Sequence, residues 1–105
     1  MQAIIVFSTA PDEESAAKIA ETLVQEHLAA CIQVLPGATS FYRWEGKLEK
    51  SNEHLLIMKT SREKLEELMS RVESLHPYDV PELVAVEVSA GAKKYLDWIA
   101  QETLK

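Results

Sequence analysis

Cys31-Ile32-Gln33-Val34-Leu35-Pro36-Gly37-Ala38-Thr39-Ser40-Phe41-Tyr42-Arg43-Trp44, then Glu45-Gly46, then the stretch from Lys47 to Thr60, decides the fold. It reads as two arms of fourteen residues around a glycine-containing turn, the pattern of one long β-hairpin. The second arm ends in the apolar run Leu55-Leu56-Ile57-Met58. Only Pro36-Gly37 interrupts the first, and a proline that cannot donate to a ladder predicts a bulge there. Upstream, Ala3 to Phe7 is an Ile/Val run expected as a strand buried on both faces. Pro11-Asp12-Glu13-Glu14 opens a helix, with acids where the helix dipole favours them. Ala16, Ile19, Ala20, Leu23, Val24, His27 and Leu28 give that helix its apolar stripe. Downstream, Thr60-Ser61-Arg62-Glu63 matches a capping box, followed by Leu65, Leu68, Met69, Val72 and Leu75 on one helical face. His76-Pro77-Tyr78-Asp79-Val80-Pro81 is a stiff loop, Glu82 to Val88 a fourth strand, and Ala92 to Leu104 a last helix. The order β-α-β-β-α-β plus a terminal helix, with right-handed crossovers, is the ferredoxin-like α+β arrangement. At 105 residues the length predicts a single domain spanning 1–105.

Charge and composition exclude several classes of function. Lys+Arg 11 against Asp+Glu 17 gives a net charge of -6, and no basic cluster exceeds Lys93-Lys94, so nucleic acid is not an expected partner. No apolar run approaches the roughly 18 residues of a membrane helix, and the N-terminus lacks the basic region of a signal peptide. A single cysteine, Cys31, cannot form an intrachain disulfide and points to a reducing compartment. A cytoplasmic protein is expected.

Two features leave a single copy unfinished. Ile4-Ile5-Val6-Phe7, Leu55-Leu56-Ile57-Met58 and Leu83-Val84-Ala85-Val86 are apolar toward both sheet faces, yet the two crossover helices cover only one face. Leaving such side chains wet forgoes about 1.5–3 kcal/mol each, and one terminal helix is too short to cover four strands. Each hairpin arm would also reach about 46 Å at 3.3 Å per residue. A compact chain of this length measures roughly 33 Å across. The outer hairpin carries Phe41, Tyr42 and Trp44, an aromatic cluster suited to an interface. A hairpin bent back on its own core is the competing reading, and a closed oligomer gripped by hairpins is the preferred one. Composition alone does not choose between dimer and trimer.

The motifs Leu28-Ala29-Ala30-Cys31, Tyr42-Arg43-Trp44-Glu45-Gly46-Lys47, Met58-Lys59-Thr60, His76-Pro77-Tyr78 with Pro81-Glu82, and Tyr95-Leu96-Asp97-Trp98-Ile99 resemble the CutA family of divalent-cation tolerance proteins. The resemblance runs from about Val6 to Ile99 in the same order and spacing. It implies a ferredoxin-like fold, a homotrimer, a cytoplasmic location and a role in tolerance to divalent metals, copper foremost, with no catalytic reaction. It also makes His76 and Cys31 the metal-ligand candidates, imidazole and thiolate being suited to copper or zinc.

The same residues have plainer readings. Cys31 fits an inert buried strand residue, and His76 a hydrogen bond that anchors its loop. No C-x-x-C or H-x-x-x-H pair is present, so a metal site must gather groups from separate elements or subunits. Lys59 closes an apolar strand, where an ammonium is costly unless paired, with Glu82 or Asp79 as candidate partners. The resemblance implies that, with Tyr42, Trp44, Tyr78 and Glu82, Lys59 lines a ligand cleft between subunits. The alternative to metal binding is therefore a trimeric signalling module that senses a small anion at Lys59. An enzyme using His76 and Asp79 as acid and base is a third reading, but no nucleophile elbow or phosphate loop supports catalysis.

Overall fold

The chain is described over all 105 residues in a computed structural model. It runs β1 (Ala3–Ala10), α1 (Glu13–Gln25), β2 (Cys31–Trp44), β3 (Lys47–Ser61), α2 (Arg62–Leu75), β4 (Val84–Glu87) and α3 (Lys93–Thr103). The strands form one antiparallel sheet in the order β2-β3-β1-β4. This is the α+β topology that the element order implies, with α3 added. Ile4, Val6, Leu56 and Met58 of the sheet meet Ile19 and Leu23 of α1 and Leu68 and Val72 of α2 in one core. Each such side chain contributes about 1.5–3 kcal/mol by leaving water.

Asp12 caps α1 by accepting from the Ser15 amide at 2.7 Å. The expected capping box of α2 does not form. Thr60 remains in β3, fully buried, and its Oγ1 donates to the Leu28 carbonyl at 2.7 Å. Ser61 takes the N-cap position without a side-chain cap bond, and its hydroxyl instead accepts from Thr103 at 3.0 Å. A long-range partner has won over a local one.

Glu45 and Gly46 turn the hairpin with φ of 50° and 78°, so both central residues are left-handed, as a two-residue hairpin turn requires. Trp44 stands opposite Lys47 at the tip and Leu35 opposite Leu55 nearer the core. Between Leu35 and Ala38 the register shifts, and Pro36-Gly37 form the predicted bulge. Because directly opposed residues share a face, the pairs Ser40–Ser51 and Tyr42–Glu49 put Tyr42 on the same face as Leu55, Ile57 and Lys59.

That second face is only partly covered. Helix α3 lies across its Lys59–Ser61 end, where Ile99 and Thr103 are buried. Ile5, Phe7, Leu55 and Ile57 are half-buried, and Val84 and Val86 of β4 are 52% and 45% exposed. In one copy the strands are therefore not buried on both faces as expected. β4 is also shorter than predicted, which leaves Glu82 in the preceding loop. Beyond His54 the hairpin continues as a two-stranded ribbon, since β1 pairs only with His54 to Ser61. The Cα trace measures 44 × 25 × 22 Å, so its long axis matches one hairpin arm.

Candidate functional site: an acidic groove with aromatic walls

A groove of about 720 Å³ opens where the outer hairpin leans over the loop between α2 and β4. The hairpin supplies Tyr42 and Trp44, with Phe41 at its edge. The loop supplies Tyr78, Asp79 and Glu82, and the sheet beneath supplies Thr9, Ser40 and Glu53. Three carboxylates line the groove and no lysine, arginine or histidine does. Across the ribbon, Lys50 Nζ lies 5.7 Å from the centroid of the Phe41 ring. Phe41 and Lys50 are directly opposed, one position along from Tyr42 and Glu49, and so belong to the other face of the ribbon.

The loop is fixed by His76, which is buried. Its Nε2 lies 2.6 Å from the Thr9 carbonyl, and its Nδ1 accepts from the Tyr78 amide at 3.1 Å. A carbonyl only accepts and an amide N–H only donates, so the ring is neutral with its proton on Nε2. Its face packs on Tyr78 with centroids 4.9 Å apart. Tyr78 in turn donates from its hydroxyl to Glu53 Oε2 at 3.0 Å. Burial first, and then the neighbouring Glu53 carboxylate, push the Tyr78 phenol up to about 12.

Of the five expected cleft residues, Tyr42, Trp44, Tyr78 and Glu82 line this groove in a single chain. Lys59 is not among them. Its Nζ sits 5.4 Å from the Tyr95 ring, a cation–π contact with α3, and it forms no ion pair with Glu82 or Asp79. Both nitrogens of His76 are engaged, which leaves no free lone pair for a metal in this arrangement. Cys31 pairs with Lys59, four residues and about 13 Å along β3 from the Leu55–Thr9 pair that His76 adjoins. The two metal-ligand candidates are thus held apart, and no three His, Cys, Asp or Glu side chains gather as a metal site. A coordination shell would need a second copy to complete it. Glu53 escaped the sequence reading altogether, since it lies in the polar run Lys47 to His54 and carries no motif. Only its register opposite Ala38 places it under Tyr78.

Fold, sheet order and the extended hairpin define a ferredoxin-like α+β protein with an added C-terminal helix. Residues 4–102 match the family of the CutA1 divalent ion tolerance protein, and the chain belongs to that family. It is 46% identical over 99 residues to the divalent-cation tolerance protein CutA of Thermus thermophilus, covering 94% of this chain and 96% of the relative. It is 45% identical over 100 residues to the chloroplastic protein CutA of Arabidopsis thaliana, covering 95% of this chain and 55% of that longer protein. The crystal structure of CutA from Xylella fastidiosa superposes with a TM-score of 0.96 at 47% identity, covering 98% and 99% of the two chains.

Proposed function

We propose that this chain is a divalent-cation tolerance protein that acts as a closed homotrimer of single domains, residues 1–105, and meets its cations in the groove beneath the hairpin. The observation that carries this reading is the lining, with Glu53, Asp79 and Glu82 and no basic side chain. Carboxylate oxygens suit hard divalent ions. Because one chain assembles no coordination shell, the ion is held with the help of a neighbouring copy and is cargo, not a resident cofactor. Copper, the ion the family resemblance implies, would draw on Cys31 and His76 only if assembly brought a free donor beside them.

Trimer formation is supported by the open second face and by the aromatic hairpin tip, both of which ask for cover. No helix is long and apolar enough to cross a membrane. With one cysteine, a reducing cytoplasm is the proposed location, although the Arabidopsis relative is named chloroplastic. The anion-sensing alternative finds no positive lining in the groove, because Lys59 is committed to Tyr95. Calorimetric titration of the assembled protein with CuCl2 and MnCl2 tests the proposal. Saturable binding that weakens on Asp79→Asn and Glu82→Gln supports it, and binding unaffected by both substitutions overturns it.

A further inference from the structure

We infer that the groove also takes an organic cation, a linear alkyl diamine whose ammonium group reaches Glu53 while its methylenes lie against Tyr42, Trp44 and Tyr78. This rests on the reading above that the groove is where the protein meets its ligand. Two independent observations point to it. The first is Glu53, only 6% exposed, yet opening on the groove and paired with no cation of the chain. Its one hydrogen bond comes from Tyr78 to Oε2, which leaves Oε1 of this largely buried side chain without a protein donor and open to a positive partner from the groove. The second is the wall. Aromatic rings add nothing to a hydrated metal ion, but they hold an alkylammonium group by its charge and its stem by contact.

The chemistry of the head group follows from what Glu53 has left to offer. Oε2 is committed to Tyr78, so a guanidinium fork, which needs both oxygens, would have to displace the phenol. A quaternary ammonium has no proton to donate to Oε1. A primary ammonium donates to one oxygen and leaves the other bond intact. Asp79 and Glu82 at the loop side then provide for a second ammonium at the far end of a short chain.

The test is calorimetric titration of the assembled protein with 1,4-diaminobutane, with 1,4-butanediol as the neutral match. One saturable diamine per chain, no measurable diol binding, and affinity at least tenfold weaker in Glu53→Gln are expected. Trp44→Leu, at an exposed position, is expected to weaken binding several-fold with unchanged circular dichroism, read on the fraction that keeps the wild-type mass, and it carries the test should Glu53→Gln fold poorly. Diamine binding no stronger than diol binding, or indifferent to the substitutions, overturns the inference. MnCl2 binding without diamine binding sinks this inference and leaves the metal reading standing. Diamine binding with neither MnCl2 nor CuCl2 binding does the reverse.

Discussion

The imidazole of His76 bridges Thr9 and Tyr78, donating from Nε2 to the Thr9 carbonyl at 2.6 Å and accepting the Tyr78 amide on Nδ1. One ring thereby ties the end of β1 to the loop that forms one wall of the groove. His76→Ala leaves the Thr9 carbonyl without this partner and is expected to cost about 1–3 kcal/mol, read from denaturant midpoints. Nitrogen NMR of the wild-type ring is expected to show the neutral Nε2–H tautomer. A bare Nε2 would contradict this assignment and return His76 to the list of free metal donors.

Thr60 and Glu63 separate the observed cap from the one the sequence predicts. Thr60→Val keeps the shape and removes the donor to Leu28, so a loss of about 1–3 kcal/mol is expected. Glu63→Gln is expected to stay within about 0.5 kcal/mol, as surface changes do. Comparable losses at both positions would restore the capping box.

Tyr78 gives the protein an alkaline limit. The free phenol ionises at 10.0 and the folded one at about 12. The folded state thus retains a proton that the unfolded chain gives up. The stabilisation from this residue is complete below pH 10 and is lost as pH rises from there to about 12. Absorbance titration is expected to show a phenolate step near pH 12 that vanishes in Tyr78→Phe, and the variant's stability should fall less steeply over that window.

Val86 lies on the open face beside Ile5. Val86→Lys places a charge where a neighbouring copy is proposed to pack, and sedimentation is expected to shift from a closed oligomer to the single chain with its secondary structure retained. An oligomer of unchanged mass in dilute solution would mean that this face is not where copies meet.

How far the sequence could be read depended on the range of the forces involved. The hairpin was legible to within a residue, because Glu45-Gly46 and the Pro36-Gly37 interruption act locally. Helix α2 was equally legible, but the α1 stripe read through His27 and Leu28 overruns the helix, which ends at Gln25 before His27 turns left-handed at φ 60°. Thr60 misled because its hydroxyl has two possible partners, and the better one lies 32 residues away. Lys59 and Glu53 are both β3 residues on one face, but α3 covers the first and the loop from α2 covers the second. Nothing in their sequence neighbourhood distinguishes these fates. The His76 motif announced importance but not role, which only its two hydrogen bonds reveal.

From Leu35 to Trp44 strand β2 takes nine steps, while β3 takes eight from Lys47 to Leu55. The surplus residue at Pro36-Gly37 must be absorbed, and a bulge absorbs it by bending and twisting the ribbon. The curvature of the groove's hairpin wall is therefore a matter of counting along two strands, independent of which side chains decorate it. Evolution could redraw the lining while keeping the shape, and losing Gly37 would remove the surplus residue while Ala38 to Trp44 kept their partners on β3.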